Sequence, residues 1–151
     1  MNLFARVSCL ALPACLLAFG LVPLGAADLS PAGLWKTIDD KTGRPRGVVR
    51  IYEQNGQLFG KIESSLLPHE AKEFCDRCSG ERKNKPFIGM VILTGMKKNG
   101  TEYNGGEILD PDTGWVYRCK MRLAENGKKL ILKGYVGISL LGRSQIWLRE
   151  L

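Results

Sequence analysis

One segment of the chain alternates between apolar or aromatic residues and mostly basic residues. From Trp115 to Leu123, the alternate positions are Trp115, Tyr117, Cys119, Met121 and Leu123, and the positions between them are Val116, Arg118, Lys120 and Arg122. A period of two over nine residues predicts a β-strand with one face in the core and one in water. We therefore expect the set that begins with Trp115 to point inward.

Seven other segments of strand length share this preference for β-branched, aromatic and aliphatic residues. Turn sequences such as Asn55-Gly56 and Asp110-Pro111-Asp112-Thr113-Gly114 separate the segments. The eight predicted strands are Leu34–Asp39, Val48–Glu53, Leu58–Ser64, Gly89–Met96, Thr101–Leu109, Trp115–Leu123, Lys129–Val136 and Arg143–Arg149. Short connections, except from Leu66 to Ile88, favour an all-β fold: an eight-stranded antiparallel up-and-down barrel, whose closure removes exposed sheet edges.

The first 27 residues have the pattern of a secretory signal peptide. One positive charge, Arg6, precedes an apolar run that ends in the small residues Gly25-Ala26-Ala27. A retained transmembrane anchor is the alternative, but Pro13, Gly20 and Pro23 interrupt the run. We expect cleavage near Ala27, a periplasmic or secreted protein, and a single β-barrel domain over residues 28–151.

Composition narrows the classes of function. The formal charge of +7 falls to +6 when Arg6 is removed. The lysine and arginine runs lack the interleaved aromatic residues of a nucleic-acid surface, which leaves a weak contact with an anionic membrane surface as the partner that this charge favours. His69 is the single histidine, and no nucleophile motif is present, so we expect neither an enzyme nor a cofactor.

Three cysteines remain after cleavage: Cys75, Cys78 and Cys119. In an oxidising compartment thiols tend to pair, and we expect a local Cys75–Cys78 disulfide with Cys119 reduced on the core face of its strand. A redox dithiol would need a helix N-terminus in a βαβ unit, which the pattern lacks. A zinc site would have to bring His69 and Cys119 to the Cys75/Cys78 loop.

Gly33-Leu34-Trp35 opens the first predicted strand. In lipocalin-type barrels, a Gly-x-Trp at this place lays the indole across the closed end, and a basic residue from the last strand packs on the ring. Arg149 and Arg143 are the candidates for that residue. The alternative is an ordinary core tryptophan in another β-sandwich.

Three blocks of sequence resemble a known family. They are Cys75-x-x-Cys78-x-Gly80-x-Arg82-x-x-x-Pro86, Gly105-Gly106-Glu107-Ile108-x-Asp110-Pro111-x-x-Gly114-x-x-Tyr117-x-Cys119, and Gly134-Tyr135-x-Gly137-x-Ser139-Leu140-x-Gly142-Arg143-x-x-x-Trp147. From about Gly33 to the C-terminus the chain is similar to the bacterial exported family known as domain of unknown function 2147. The resemblance implies an exported lipocalin-like barrel and assigns no catalytic residue.

The leading hypothesis is an exported protein that binds a small apolar or amphipathic molecule inside the barrel. Its candidate ligand-binding residues are Trp35, Trp115, Tyr117, Met121, Tyr135, Arg143 and Trp147. One alternative is an envelope interaction or scaffold protein whose barrel is filled with side chains. The other is a redox protein or enzyme that uses Cys75 and Cys78.

Overall fold

The chain folds into a closed barrel of eight antiparallel strands. The computed structural model describes residues 29–68 and 73–150. Each strand pairs with the next along the chain, and β8 pairs with β1 to close the sheet. The strands are β1 (Gly33–Ile38), β2 (Pro45–Gln54), β3 (Gln57–Ser65), β4 (Val91–Asn99), β5 (Glu102–Leu109), β6 (Val116–Ala124), β7 (Lys129–Tyr135) and β8 (Arg143–Glu150).

The predicted all-β up-and-down barrel is confirmed, and the bounds of the strands differ by no more than three residues at either end. Helical structure among the described residues is limited to two short 3₁₀ turns, Gly80–Arg82 and Ser139–Leu141. None of the described residues forms a helix with the length and apolarity to cross a membrane. The predicted signal peptide, residues 1–27, and His69 lie outside the described residues.

Tight turns connect the strands at one end, which we call the closed end. Asn55 and Gly56 join β2 to β3 with φ values of 53° and 72°, as a type I′ turn requires at both central positions. The segment 29–32 also lies at this end. At the other end, which we call the open end, the connections are 39–44, 66–90, 110–115 and 136–142.

The half of the barrel near the closed end is filled with side chains. Its core consists of large apolar residues from most of the strands, none more than 3% exposed: Trp35, Ile51, Leu58, Leu93, Met96, Met121 and Leu130. Packing here is close, because a Cβ on Gly106 would overlap the backbone of Thr94 and the sulfur of Met96. Glycine at this inward position lets β5 approach β4.

Trp35 and Arg149 seal the closed end. The Trp35 ring is fully buried, and its Nε1 donates a hydrogen bond to the Pro31 carbonyl at 2.7 Å. The Arg149 guanidinium lies 4.3 Å above the ring centroid, a cation–π contact. This guanidinium also donates to the carbonyls of Gly127, Ala32 and Ser30 at 2.6, 3.1 and 2.8 Å.

Of the two predicted basic partners of Trp35, Arg149 is the correct one, and Arg143 lies at the open end. Desolvation lowers the pKa of Arg149 below its usual value. The three carbonyls and the aromatic face compensate the partial desolvation of this charge.

The inward placement of Trp115 is wrong. Trp115 precedes β6, and its side chain is 64% exposed. Its carbonyl accepts a hydrogen bond from the Asp110 amide at 2.8 Å, and its amide donates to Thr113 Oγ1 at 3.3 Å. Trp115 therefore belongs to the turn beyond the barrel wall, and the predicted alternation holds only from Tyr117 onward.

Cys75 and Cys78 form a disulfide, and Cys119 is a free, fully buried thiol. Burial raises the pKa of Cys119 to about 12, so this thiol is protonated at neutral pH. Because the disulfide occupies both loop sulfurs, neither supplies a thiolate for a zinc site.

Replacement of Arg149 by Lys tests the closure of this end. Lysine keeps the charge but lacks the planar fork that reaches three carbonyls and stacks on the indole. We expect a loss of about 2 kcal/mol or more in the free energy of unfolding, since hydrogen bonds of charged groups contribute roughly 1.5–3 kcal/mol. Urea denaturation measures this loss.

Arg122→Lys on the outer face of β6 is the matched control, because Arg122 is exposed. It should change the free energy of unfolding by less than about 0.5 kcal/mol. Equal effects of the two substitutions would contradict the structural role of Arg149.

Candidate functional site

The open half of the barrel contains a cavity of about 790 Å³. It extends from the middle of the barrel to the connections of the open end, and three of these connections, 66–90, 110–115 and 136–142, contribute residues to its lining. Its volume falls within the roughly 300–1,000 Å³ that is usual for small-molecule sites.

The deep walls of the cavity are apolar. They are formed by residues from six strands: Val49, Ile62, Ile92, Ile108, Leu132 and Trp147. Trp147 is 1% exposed and also packs with the filled half. It therefore lies at the boundary between the solid core and the cavity.

Small and polar residues line the cavity nearer the open end. Thr37, Gly47, Ser64 and Gly134 occupy positions where large apolar residues would close the space. Gln145 accepts a hydrogen bond from Trp147 Nε1 at 3.3 Å, and Tyr117 and Tyr135 also lie in the wall. The cavity thus grades from an apolar interior to a polar mouth.

An ion pair spans the mouth. Arg46, at the start of β2, donates two hydrogen bonds to Asp112 in the β5–β6 turn, from Nη1 to Oδ2 at 2.5 Å and from Nη2 to Oδ1 at 2.9 Å. These two elements lie on opposite sides of the barrel, because β3 and β4 separate them on one side and β7, β8 and β1 on the other. Hydrogen bonding to Asp112 raises the pKa of Arg46 above its usual value.

A second ion pair joins two open-end elements. Arg143, at the start of β8, donates from Nε to Oδ2 of Asp40 at 2.6 Å, and its Nη2 contacts the other carboxylate oxygen. Hydrogen bonding to Arg143 holds the pKa of Asp40 below its usual 3.8. The β1–β2 connection is thereby fastened to β8.

The disulfide loop, which is the part of the 66–90 connection around Cys75 and Cys78, packs on the β5–β6 turn that Arg46 also contacts. Cys75 and Cys78 are 0% and 3% exposed, and Arg77 Nη1 donates to the Asp112 carbonyl at 3.3 Å. Gly114, with φ +75°, lies against the backbone of Arg77, where a Cβ would overlap the Arg77 carbonyl. The disulfide therefore fixes a loop that covers one side of the mouth, and its sulfurs are shielded from solvent.

The structure brings four of the seven predicted ligand-binding residues to the cavity: Tyr117, Tyr135, Arg143 and Trp147. Trp35 and Met121 lie instead in the filled half, where they are 0% and 1% exposed. Trp115 lies outside the wall. The strand from Trp115 to Leu123 therefore supplies one wall residue, Tyr117, in place of the several expected.

The prediction missed the aliphatic residues of the deep walls, and it also missed polar lining residues. Arg46, Asp112 and Gln145 line the cavity, although none of them belongs to an apolar alternation. One signal was present in β8, where Arg143, Gln145, Trp147 and Arg149 share a face while Ile146 and Leu148 are 47% and 37% exposed on the other. An alternation with its polar set inward is a signature of a polar-lined interior.

The sequence matches the family model described as "Uncharacterized protein conserved in bacteria (DUF2147)" over residues 33–149. The chain belongs to this family. In this DUF2147 barrel, the matched span runs through all eight strands and ends at Arg149, which seals the closed end.

A solved structure shares the fold. The chain is similar to "Protein HP1028 from the human pathogen Helicobacter pylori", described as belonging to the lipocalin family, with a TM-score of 0.70 and 21% sequence identity over 82% of this chain and 84% of that one. The barrel is therefore lipocalin-like. A comparison with curated proteins finds no significant match.

The resemblance blocks acquire structural roles in the DUF2147 barrel. The block from Gly105 to Cys119 forms the end of β5, the Asp112 turn and the start of β6, and the block from Gly134 to Trp147 forms the end of β7, its loop and most of β8. The cysteine block covers the mouth. Two of the three blocks therefore combine barrel wall with cavity lining, and the third contributes to the rim.

Acidification should release the Arg143–Asp40 pair. Because the pKa of Asp40 is lowered by folding, its contribution to stability is present above the usual value of 3.8 and is lost as pH falls through the lower folded value. Asp40→Asn should reduce the free energy of unfolding by about 0.5 kcal/mol at neutral pH, as for exposed ion pairs. This difference should shrink as pH falls below 3.8 and vanish once pH is below the lowered folded value.

Urea denaturation of the wild type and of Asp40→Asn, at neutral pH and at a series of acidic pH values, measures the difference in the free energy of unfolding. Glu81→Gln, in the disulfide loop, is the control for the loss of one negative charge at this end. A difference between wild type and Asp40→Asn that persists unchanged in acid would contradict the ion pair.

Proposed function

We propose that this protein is exported and binds a small, partly apolar molecule in the open half of its barrel. The observation that carries the proposal is the cavity of about 790 Å³, with apolar deep walls and polar groups at its mouth. Ligand pockets in proteins have this combination, in which apolar surface supplies affinity and a few polar groups fix orientation.

The polarity gradient favours an amphipathic ligand. Its apolar part would contact Ile92, Leu132 and Trp147, and its polar end would face Gln145 and the tyrosines. Arg46 and Arg143 already have carboxylate partners, so the ligand needs no formal charge to satisfy them. We infer a neutral or weakly polar head group.

The filled half of the barrel gives some support to the scaffold alternative, in which side chains occupy the whole interior. The open half does not fit it, because inward positions there carry Thr37, Gly47, Ser64 and Gly134. For the redox alternative, the burial of both sulfurs offers no exposed thiolate that could attack a substrate.

A cavity-filling substitution tests the proposal. Ile108 lines the cavity, and Ile108→Trp would place a larger ring in the open space. We expect uptake of the neutral fluorophore N-phenylnaphthylamine to fall about tenfold or more. The free energy of unfolding should change by less than about 1 kcal/mol, because the cavity offers room for the added volume.

Ile146→Trp is the matched control, since Ile146 is on the outer face and 47% exposed; it should leave uptake unchanged. If side chains filled this region, Ile108→Trp would instead lower stability by about 1–3 kcal/mol through overpacking. Absence of fluorophore uptake by the wild type, together with that loss, would refute the proposal.

A further inference from the structure

The connection between β7 and β8 exposes a run of apolar side chains. It reads Val136-Gly137-Ile138-Ser139-Leu140-Leu141-Gly142 and contains no charged residue. Its four large side chains are among the most exposed in the described chain: Val136 69%, Ile138 61%, Leu140 82% and Leu141 83%. We call residues 136–142 the apolar loop.

Other exposed apolar side chains lie around the same end. The remaining open-end connections contribute Leu66, Leu67, Phe74, Ile88 and Trp115, which are between 37% and 64% exposed. Several of these residues, with Val136 and Leu141, also line the cavity. An apolar rim of this kind around one opening indicates an interaction surface rather than scattered exposure.

A basic surface adjoins the apolar loop. On the outer faces of β6 and β7, Lys120 pairs in register with Lys133, and Arg118 pairs with Tyr135, the last residue before the loop. The Lys133 side chain runs beside Gly142, at the end of the loop. Glu107 on β5 faces Arg118 and offsets part of this charge, but the β6–β7 surface stays positive.

We propose that the open end docks on an anionic lipid surface, with the apolar loop inserted and the β6–β7 cations on the lipid phosphates. A lipid surface offers both kinds of contact that this region presents: an acyl boundary for Leu140 and Leu141, and anionic head groups for Lys120 and Lys133. The net charge, +7 for the whole chain and +6 without Arg6, attracts the molecule to such a surface.

A second copy of the chain fits less well. A two-fold interface through the apolar loop would bring identical patches together, and with them the cations of both β6–β7 surfaces. Docking on lipid avoids this repulsion. It also places the cavity mouth against the bilayer, although the proposal holds whether or not the cavity binds a ligand.

Vesicle flotation with the purified protein, in the form that cells accumulate, tests the proposal. The vesicles are phosphatidylcholine alone or an equal mixture of phosphatidylcholine and phosphatidylglycerol. We expect binding to the mixed vesicles that weakens with salt, and little binding to neutral ones. Leu140→Asn with Leu141→Asn should reduce partitioning about 100-fold, since burial of each leucine contributes roughly tenfold or more.

Lys120→Gln with Lys133→Gln should reduce partitioning into the mixed vesicles about tenfold or more, at roughly fivefold for each cation near the surface. Leu29→Asn at the closed end, where Leu29 is 50% exposed, and Lys61→Gln with Lys97→Gln on β3 and β4 are the matched controls and should bind as wild type. All variants are first checked for unchanged melting. Vesicle binding is measured without fluorophore, so that the result does not depend on ligand uptake by the cavity, which Leu141 also lines.

Three results would overturn the proposal. The first is no binding of the wild type to the mixed vesicles. The second is unchanged binding by the Leu140/Leu141 variant, which would mean adsorption through charge elsewhere. The third is a dimer in sedimentation experiments that this variant dissociates, without vesicle binding, which would assign the apolar loop to a second copy of the chain.

Discussion

The pairing of β8 with β1 is the constraint on which the other features of this protein depend. It brings Arg149 into register with Trp35, so that the residue that closes the sheet also stacks on the ring that blocks one end of it. An eight-stranded barrel is just wide enough to be filled by side chains or to hold one small ligand. Because one end is sealed, the remaining variable is how far side chains fill the interior along the barrel axis from that end.

The size of the inward-pointing residues determines how far the filled part of the interior extends. Near the closed end, Met96, Met121 and Leu130 fill the interior, and Gly106 is needed to make room. Towards the open end, Ser64 and Gly134 replace large side chains, and the interior becomes a cavity. The Arg46–Asp112 pair and the disulfide loop then limit a mouth that would otherwise be as wide as the barrel.

Local patterns in the sequence were sufficient to predict the strands, the disulfide and a basic partner for Trp35, with Arg149 and Arg143 as its two candidates. Each depends on a period of two, a short spacing or a known pairing of the first and last strands. The mouth could not be predicted in this way, because Arg46 and Asp112 are 66 residues apart and Arg143 and Asp40 are 103 apart. Their contacts exist only after the barrel has closed.

The misplaced residues have equally physical causes. Trp115 continues the alternation of β6 on paper, but the hydrogen bond from the Asp110 amide to its carbonyl keeps it in the turn. Met121 has the inward orientation that the pattern predicted, yet the sequence carries no information on depth along the barrel axis. Depth follows from the stagger of the strands, and it decides whether an inward residue fills the core or lines the cavity.

Native mass spectrometry of the protein purified from its own envelope tests the central claim most directly, that the open half of the barrel holds a small molecule. The account predicts a polypeptide that begins near Asp28, with an additional mass that is released on denaturation and is absent from Ile108→Trp. If the wild type and Ile108→Trp both showed only the mass of the polypeptide, under conditions that preserve the fold, that result would contradict the account.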